Sequence, residues 1–580
     1  MVEDTYTWVR NPQWIAMPSV SASEEKAVFL VAVYEDLPYS PVIYVDTSDS
    51  SSYAVDWGDG TSVTTGDALK SEKTYNYSAL PATNGVVSFG SNLVTLTSHG
   101  YVNNQRINFY SSTVSDVEKH VRYFVVNSTA NTFQLSLSEG GAPITIGTGT
   151  GALFGFKQVI ITITGSNILS LFAAYIHTAM GTSYGDSNII EVVASLANAT
   201  VIEVSEHGAQ NRGYSLERFE YVGTSSTPLN LHYSFYDGCP NLKIVDGIEN
   251  RVVSQNTATF GNCVNLRRIG DITYSNSHSG AMTSFFSNCY NLLSAPKITN
   301  IPASSSFGST FVACNSIKSP PILEMLGSPS SLNSTFSGCY NLRGVPHFAQ
   351  GAAFCTDFTA IHSFNAFIPR LRYLNTSSCS TAAGFAQYCY RNISIPAYDF
   401  SGVTSTTSSA FRENTSLVEF PRIDFSGSTH TGYLFYGATA LKRIKYPLNF
   451  TSSTNMYQIF YATKRLRTIH SISTSSALTD VGYAFYTNYS LTEVPLFDTS
   501  EVTAAHYFVA HAERIKFIPN FNLTKAVDAS YLAYYTRGIQ EPVTLNLPAA
   551  TNLFKAFMYS NARDISITAN SATTATYCFY

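Results

Sequence analysis

This chain of 580 residues has nine cysteines, and the spacing of these cysteines decides which chemistry they can take part in. Five stand at the same place in successive sequence repeats: Cys239, Cys263, Cys289, Cys314 and Cys339. Stacked turns would bring equivalent Cα atoms to about 5 Å, which is near disulfide reach. Later repeats carry other small residues there, namely Asn414, Ala438, Thr463 and Asn488. A small side chain in a tight internal turn explains the whole column, so we predict reduced, buried thiols. One cysteine per repeat forms a line and not a tetrahedron, so no metal site is predicted.

Three short motifs match parts of known reactive or binding sites. GTSYG at residues 181–185 fits the GxSxG nucleophile elbow, but that elbow needs an α/β fold around it, so we interpret it as a turn. GTGTG at residues 147–151 lacks the lysine of a phosphate-binding loop and is interpreted as a hairpin turn. Asp56 and Asp59 are too few carboxylates for Ca²⁺, which takes about six to eight oxygens. We therefore expect no catalytic residue, no cofactor and no metal, and a protein that is not an enzyme.

The cysteines belong to a repeated phrase, clearest in FSGCYNLRGVP at residues 336–346. An aromatic anchor is followed by Cys or Asn three positions on, Leu six on, and an apolar residue with Pro nine to ten on. The anchors, 22–27 residues apart with one double gap, are Tyr236, Phe260, Phe286, Phe311, Phe336, Phe358, Phe385, Phe411, Phe435, Phe460, Phe485, Phe508, Phe557 and Phe579. The double gap holds a degenerate copy near Leu532. A fixed period of this size predicts a solenoid whose anchors point inward.

Composition supports a mostly β protein. Charged residues make up 13% of the chain and hydrophobic residues 44%, which suits stacked strands and excludes a disordered chain. The net charge of −5, with no long basic run, argues against a nucleic-acid partner, and no apolar run is long enough to predict membrane insertion. The acidic start, MVEDT, predicts no signal peptide, and the closing YCFY opens another repeat, so we expect the polypeptide to continue.

The first part of the chain is predicted to be a β-sandwich. Residues 28–34 and 42–45 are apolar, β-branched strand candidates, and the WGDGT turn at residues 57–61 follows a third. Asp59 and Gly60 suit a tight hairpin that Trp57 anchors in the core. This pattern resembles the PKD domain, an immunoglobulin-like sandwich, which the resemblance places at residues 1–83 and 155–165. Its remaining strands would be TYNY at residues 74–77 and QVIITIT at residues 158–164.

An inserted module is predicted between the two parts of that sandwich, at residues 84–154. Alternating strand candidates separated by Gly and Asn turns include LVTLTSHGY at residues 93–101, YFVVN at 123–127 and NTFQLS at 131–136. This wording resembles a small β-module common in bacteriophage tail and other virion proteins. The resemblance implies a β-fold and a place in a virus particle.

Two further segments complete the predicted organisation. Residues 166–230 are interpreted as an entry element that caps the solenoid, with partly helical spacing among Leu169, Leu171, Phe172 and Tyr175 and strand candidates at 189–193 and 216–222. Residues 231–580 form the regular array. Its phrase resembles the BspA-like leucine-rich repeats of bacterial surface proteins, which implies a curved right-handed solenoid with a short strand per turn.

Tyrosine, with 38 copies, is the candidate recognition residue. Tyr436, Tyr461 and Tyr486 follow their anchors directly, and Tyr340 lies near another. Since strand neighbours point to opposite faces, the side chains of Tyr436, Tyr461 and Tyr486 would face outward if the anchors face inward. An exposed row of tyrosines suits binding of glycan or protein, and packing over neighbouring turns is the alternative.

These features lead to an expected function. We expect a structural, adhesive virion protein of a tailed bacteriophage, such as a tail fibre, with N-terminal domains attached to other virion proteins. The solenoid would be exposed for recognition of host glycan or protein, in many copies or as a homo-oligomer. The alternatives are a bacterial cell-surface adhesin with leucine-rich repeats and, further off, a glycan-degrading enzyme, which would need two carboxylates about 5–10 Å apart in a groove.

Overall fold

The computed structural model describes residues 6–34, 41–47, 52–61, 64–66, 70–119, 121–175, 188–204, 215–231, 235, 238–253, 257–274, 282–302, 305–319, 321–326, 330–342, 347–348, 380–395, 397–398 and 400–579. The chain divides into two compact units, residues 1–255 with 262–275 and residues 256–261 with 276–580. The described residues consist almost entirely of strands and turns, with two single-turn 3₁₀ helices, Tyr77–Ala79 and Ile248–Asn250. They include a β-solenoid of about 12 turns, so the prediction of a mostly β solenoid protein is confirmed.

Unit 1 contains most of the long strands. They are β1 (Lys26–Tyr34), β2 (Pro41–Thr47), β3 (Tyr53–Asp56), β4 (Thr64–Gly66), β5 (Lys70–Glu72), β6 (Val86–Gly90), β7 (Leu93–Thr95), β8 (Arg106–Ile107), β9 (Ser111–Ser112), β10 (Tyr123–Val126), β11 (Thr132–Ser136), β12 (Gly149–Ala152), β13 (Phe156–Thr164), β14 (Ile168–Tyr175), β15 (Ile189–Ser195), β16 (Val201–Glu203), β17 (Arg218–Tyr221), β18 (Ser225–Leu229), β19 (Ile244–Asp246), β20 (Arg251–Val253), β21 (Arg268–Ile269) and β22 (Ile272–Tyr274).

Two sheets are built around the first strands of unit 1. One has the order β21-β19-β17-β15-β1-β13-β3-β4, and the other the order β16-β14-β2-β5. The centre of the first sheet is β1, whose seven residues Ala27–Val33 are all buried. It pairs antiparallel with β13 and β15, because apolar side chains on both faces of this strand exclude an edge position. The strands predicted at residues 28–34, 42–45 and 158–164 are confirmed.

The WGDGT turn lies between β3 and β4, and these two strands pair antiparallel. Trp57 is buried, and its carbonyl oxygen accepts a hydrogen bond of 2.6 Å from the hydroxyl of Tyr75. The left-handed backbone falls on Gly58 and Gly60, and a Cβ atom at Gly58 would lie 2.1 Å from the carbonyl oxygen of Ile160. Asp59 bonds Thr61 and pairs with Lys73 at 2.8 Å, so its carboxylate is engaged within the turn.

Residues 86–152 form a separate antiparallel sheet with the order β8-β10-β11-β7-β6-β12-β9. Its own apolar core includes Phe89, Phe109, Tyr123 and Phe133. The hairpin turn predicted at residues 147–151 is wrong, because Gly149 and Gly151 lie inside strand β12. A Cβ atom at Gly151 would lie 2.7 Å from the carbonyl oxygen of Ser111, so glycine here permits close backbone approach within the sheet.

Parallel strands extend both sheets of unit 1. β17 adds parallel to β15, β19 to β17 and β21 to β19, while β16 adds parallel to β14. The interpretation of the spacing from Leu169 onward as partly helical is wrong, because Ile168–Tyr175 is a strand that pairs antiparallel with β2. Burial of Ile168, Leu171 and Ala173 follows from sheet packing, which overrode the spacing. The strand predicted at residues 74–77 is also wrong, since strand β5 ends at Glu72 and a 3₁₀ turn begins at Tyr77.

Unit 2 consists of solenoid turns, which we call rungs. Its strands are short: β23 (Ile298–Ile301), β24 (Ile322–Met325), β25 (His347–Phe348), β26 (Glu419–Phe420), β27 (Arg443–Ile444), β28 (Leu448–Phe450), β29 (Thr468–Ile469), β30 (Ile472–Thr474), β31 (Val543–Asn546) and β32 (Ile565–Thr568). The pairings β23 with β24, β24 with β25, β26 with β27, β27 with β29, β28 with β30 and β31 with β32 are all parallel, as expected of stacked turns. One further column of parallel bridges runs through Thr406, His430, Asn455, Asp480, Ala504, Asp528, Asn552 and Thr574.

The anchor of each rung lies in a turn and not in a strand. In the rung of Phe460, the amides of Met456, Gln458, Phe460 and Ala462 donate to carbonyl oxygens of the next rung at 2.9 Å. The intervening amides of Ile459, Tyr461 and Thr463 donate three residues back within the same rung, at 3.2 Å. Every amide from Met456 to Thr463 except that of Tyr457 is therefore bonded along the backbone, although Tyr457 donates to the side chain of Asn455.

A pair of residues with positive φ flanks the central residue of each described rung, two positions before it and two positions after it, and in most rungs this central residue is the anchor. From the rung of Phe286 onward the pairs are Ser284 and Asn288, Ser309 and Ala313, Ser334 and Gly338, Gly384 and Tyr388, Ser409 and Glu413, Tyr433 and Gly437, Gln458 and Ala462, Tyr483 and Thr487, Tyr507 and His511, Tyr531 and Tyr535, and Lys555 and Tyr559, with Tyr577 before Phe579. Backbone geometry thus identifies the anchor independently of its side chain. We call the two flanking sites the left-handed positions.

Stacked phenylalanines fill the interior of unit 2. The rings of Phe260, Phe286, Phe311 and Phe336 stack in sequence at 5.2–5.5 Å, and those of Phe435, Phe460 and Phe485 at 5.2 and 5.5 Å. Phe411 is also buried, and Tyr236 lies outside the described residues. Each buried ring stabilises the fold by roughly 1.5–3 kcal/mol through burial alone.

In three rungs the left-handed positions select a different anchor from the sequence phrase. They flank Ala386, Val509 and Ala533, so Phe385, Phe508 and Leu532 stand one residue earlier. All three are nevertheless fully buried, because this earlier position also faces the interior, as Ile459 does beside Phe460. The assignment of Phe385 and Phe508 as anchors is therefore wrong by one residue, although their burial is as expected.

The repeated cysteines line the interior as free thiols. Cys239 and Cys263 in unit 1, and Cys289, Cys314 and Cys339 in unit 2, are all buried and unbridged. In unit 2 each thiol donates to the carbonyl oxygen of the anchor one rung earlier, as in Cys339 to Phe311 at 3.0 Å. The same place holds Asn414 and Asn488, whose amides donate to backbone carbonyls at 2.9 Å. Burial raises the pKa of the Cys339 thiol to about 12.

Candidate functional site: an aromatic strip

The outward side of the later rungs of unit 2 carries a continuous surface of aromatic side chains. Its members are Tyr433, Tyr436, Tyr457, Tyr461, Tyr483, Tyr486, His506, Tyr507, His511, Tyr531, Tyr534, Tyr535 and Tyr559. We call this surface the aromatic strip. All are half-buried except Tyr559, which is 40% exposed.

Six tyrosines of the strip occupy left-handed positions: Tyr433, Tyr483, Tyr507, Tyr531, Tyr535 and Tyr559. Positive φ is uncommon outside glycine and Asn, and it is a genuine outlier for bulky residues. The backbone does not require tyrosine there, because earlier rungs place Ser284, Ser309 and Ser334 at the equivalent position. Because positive φ recurs at this position whatever residue fills it, the choice of tyrosine in the later rungs, and not the backbone conformation, supports a functional interpretation.

Two columns of rings run along the strip. One contains Tyr436, Tyr461 and Tyr486, which stack with centroids 4.6 and 5.0 Å apart. The other contains Tyr483, Tyr507 and Tyr531, with centroids 4.5 and 4.3 Å apart and interplanar angles of 8°. The columns contact each other edge-to-face where Tyr483 meets Tyr486 at 5.4 Å, and Tyr531 makes a similar contact with Tyr534 at 5.2 Å.

Where a rung lacks tyrosine at one of these column positions, a neighbouring aromatic side chain makes the ring contacts in its place. Gln458 occupies the left-handed position of its rung, and the preceding Tyr457 contacts both Tyr433 and Tyr483, at 5.5 and 5.8 Å. Ala510 follows Val509, and His511 instead contacts Tyr486 and Tyr534, at 5.4 and 5.2 Å. These substitutions keep the aromatic surface unbroken from Tyr433 to Tyr559.

Charged groups of both signs border the strip. The guanidinium of Arg412 lies 4.6 Å from the ring centroid of Tyr436, and the Lys555 ammonium 5.8 Å from that of Tyr531. The Oδ1 atoms of Asp480 and Asp528 accept hydrogen bonds from the backbone amides of Gly482 and Ser530, at 2.8 and 3.0 Å. Burial raises the pKa of Asp480, although the Gly482 amide and His506 oppose this change.

Partial burial makes several phenols of the strip harder to ionise. It raises the pKa of Tyr461 and Tyr483, and adjacent tyrosines raise both further. The pKa of Tyr507 is raised more strongly, by burial and by a hydrogen bond with Tyr531. The same burial lowers the pKa of His511, because the charged imidazolium is disfavoured there. Near neutral pH the three tyrosines therefore present hydroxyl groups without negative charge.

Sequence reasoning selected only part of this surface. It selected Tyr436, Tyr461 and Tyr486, and the structure brings these three together in one column. The argument from strand alternation was wrong, because these residues lie in turns where the consecutive Ile459 and Phe460 both face the interior. It missed the left-handed column, which the recurrence of tyrosine two residues before Phe435 and Phe485 could have revealed. Tyr340 is 49% exposed but lies on an earlier rung outside the strip.

The other candidate motifs contribute no comparable site. Residues 181–185 lie outside the described part of the chain. Asp56 and Asp59 serve turn structure, since Asp56 accepts from the Gly58 amide at 3.0 Å. Burial would raise the pKa of Asp59, but hydrogen bonds from Lys73 and Thr61 outweigh it and lower that pKa. Within the described residues, no three His, Cys, Asp or Glu side chains cluster as metal ligands would, and no helix has the length and hydropathy of a membrane span.

Comparison with known proteins adds no family to this description. No protein-family model matches the chain, and no curated protein matches it. The aromatic strip is therefore interpreted from its own geometry.

Proposed function

We propose that this chain is a non-enzymatic adhesive protein of a tailed bacteriophage particle, and that the aromatic strip is its recognition surface. The observation that carries the recognition role is the row of tyrosines at left-handed positions. Half-buried tyrosine combines a large apolar contact area with a polar tip, and tyrosine is enriched at binding surfaces. Solenoid surfaces offer extended binding faces of this kind.

The place in a virus particle is supported by resemblance in the sequence. The sequence pattern of the inserted module at residues 84–154 resembles that of β-modules found in bacteriophage tail proteins. The finer fold assignments belong to the same proposal: a PKD-like sandwich around the WGDGT turn and BspA-like leucine-rich repeats in the solenoid. In this account the N-terminal domains attach to other virion proteins in many copies, and the solenoid reaches a host glycan or protein. Nucleic acid and membrane insertion have no role in it.

A bacterial cell-surface adhesin is the second candidate. It is favoured by the likeness of the repeat phrase to repeats of bacterial surface proteins. The aromatic strip would serve recognition in either case, so the two candidates differ in where the protein resides and not in how it binds.

Fractionation separates the two candidates. Cultures that carry the gene would be separated into density-purified particles and cell envelopes, and the chain would be quantified in each by mass spectrometry. We expect the chain in the particles, at a constant ratio to other particle proteins. Its absence from particles and enrichment in envelopes would reject the virion assignment and favour the adhesin.

Binding is tested separately. The purified chain, labelled with a fluorophore, would be applied to a panel of bacterial strains and to host cells of the producing culture. We expect saturable binding to at least one strain. Absence of binding to every strain would reject the recognition role of the strip.

A further inference from the structure

The exposed chemistry of the aromatic strip follows from how its rings are stacked. Tyr507 has one face toward Tyr483 and the other toward Tyr531, and Tyr461 has one toward Tyr436 and the other toward Tyr486. Rings in the middle of a column therefore cannot offer a face to a ligand. They offer their edges and their hydroxyl groups.

Edges and hydroxyls favour oxygen-rich ligands. The edge of an aromatic ring carries positive partial charge and the face negative, so edges attract electronegative atoms. A phenol hydroxyl both donates and accepts hydrogen bonds. A ligand that matches this surface needs oxygen atoms that accept and hydroxyl groups that donate, which is the chemistry of a sugar.

The charges beside the strip do not call for a charged ligand. The cations Arg412 and Lys555 already lie against tyrosine rings. The carboxylates of Asp480 and Asp528 already accept backbone amides. Since both signs are present and engaged, no strong field of one sign selects an ionic partner.

The strip is also periodic. Equivalent rings recur in successive rungs at 4.3–5.0 Å between centroids where they stack. A ligand that repeats along its length can make the same contact with each rung, whereas a folded protein presents a surface without such a repeat. Contacts in series also strengthen with ligand length, because each further unit binds at a high effective concentration.

We infer that the aromatic strip binds a linear, uncharged polysaccharide that lies along the solenoid and is read by tyrosine hydroxyls and ring edges, rung by rung. This inference rests on the proposed recognition function and adds the ligand class. It predicts that many similar contacts share the binding energy, without one dominant residue.

The experiment uses the full chain and the strain that binds it most strongly. Cells would be treated with periodate, which cleaves vicinal diols of sugars, or with proteinase K, before binding is measured. We expect periodate to lower binding at least tenfold and proteinase K to leave it unchanged. We also expect binding to persist in about 0.5 M NaCl, where charge interactions are largely screened.

Variants test the hydroxyl contacts. Tyr483→Phe, Tyr507→Phe and Tyr531→Phe keep the stacked rings and remove the hydroxyls, and the matched control is the exposed pair Tyr290→Phe and Tyr340→Phe on earlier rungs. Each strip substitution should weaken binding a few-fold and the triple variant roughly tenfold or more, since each lost hydrogen bond is worth a similar amount. The control pair should remain within about twofold of wild type by the same measure.

The outcomes distinguish the inference from the function beneath it. Binding that survives periodate but is lost with proteinase K would identify a protein ligand, which overturns the inference and retains the recognition role. Binding abolished by about 0.5 M NaCl would indicate a charged ligand and would also overturn it. A triple variant that binds like wild type would exclude readout by hydroxyls. Absence of binding to any untreated strain would instead reject the proposed function.

Discussion

The earlier and later rungs of unit 2 share one interior and differ on the outside. Phe286, Phe311 and Phe336 stack in the earlier rungs as Phe435, Phe460 and Phe485 do in the later ones. Both regions use the same left-handed positions around the anchor. Before the anchor, however, the rungs of Phe286, Phe311 and Phe336 place serine at this position, and the later rungs place mostly tyrosine.

The contrast shows that tyrosine is not a condition of the fold. A left-handed residue other than glycine costs roughly 1–2 kcal/mol, and a stacked ring pair returns roughly 0.5–1.5 kcal/mol. Serine and tyrosine carry this backbone cost alike, so exchanging one for the other adds the modest stacking gain, and packing and recognition both favour tyrosine here. Under the proposed function, recognition is a second reason for tyrosine at these positions.

The largest expected effect lies in the shared interior. Phe336→Ala and Phe460→Ala each remove a fully buried ring from a stacked column and should each cost about 3–5 kcal/mol in the free energy of unfolding. Chemical denaturation followed by circular dichroism measures this. Equal costs in the two regions support a common interior, whereas a cost near zero for either variant would mean that its ring does not face inward.

The next effect concerns the small polar column beside the anchors. Asn488→Ala removes a buried amide that donates to the Phe460 carbonyl oxygen at 2.9 Å and also contacts the Thr463 hydroxyl. Losing these two interior hydrogen bonds should cost about 1–3 kcal/mol in unfolding free energy, while the Phe460 carbonyl oxygen keeps the bonds from the Thr463 amide and hydroxyl. Cys339→Ala, the equivalent change in an earlier rung, should cost less because a thiol is a weak donor. The reverse order would show that the cysteine column does more than fill space.

A smaller effect is expected at the left-handed positions. Tyr507→Asn relieves strain but loses two stacked partners, so unfolding free energy should change by no more than about 2 kcal/mol. Ser309→Asn is the control on an earlier rung and should change it by less than about 0.5 kcal/mol. A loss above about 3 kcal/mol for Tyr507→Asn, of the size seen for core rings, would mean that the strip is structural packing.

The smallest effect is a pH dependence confined to the later rungs. The pKa of His511 is lowered by burial, so the unfolded chain binds this proton more readily than the folded one. Its stabilising contribution is therefore present above the unfolded pKa of about 6.5 and is lost as pH falls below that value. His511→Gln should lessen the decline of the unfolding midpoint between about pH 6.5 and pH 5. If the unfolding midpoint of His511→Gln declines as much as that of the wild type, groups other than His511 cause the decline.

Much of the fold could be predicted from the sequence because its interior repeats. Phe and Cys at a fixed spacing indicate stacked turns, and apolar runs such as residues 28–34 indicate buried strands. The errors arose where tertiary packing decides. Strand β14 has partly helical spacing but is held by β2, and Gly149 and Gly151 lie in a strand because the sheet packs closely there.

The candidate site was harder to predict than the fold. The recurrence of tyrosine beside Phe435 is visible in the sequence, but its meaning depends on backbone φ, which the sequence does not display. Phe385 and Phe508 show the same limit, because the phrase selects the ring while the backbone selects Ala386 and Val509. Tyr457 and His511 could not be assigned to the strip from spacing, since each fills a gap left by a neighbouring rung.

The most direct test of the strip as a recognition surface is one binding measurement on a matched pair of variants. One carries Tyr483→Asn, Tyr507→Asn and Tyr531→Asn, and the other carries Ser284→Asn, Ser309→Asn and Ser334→Asn at the equivalent positions of earlier rungs. Binding to the most strongly bound strain would be measured per folded molecule. We predict at least a roughly tenfold weaker Kd for the tyrosine variant and an unchanged Kd for the serine variant. Equal binding by both folded variants would contradict the assignment of recognition to the aromatic strip.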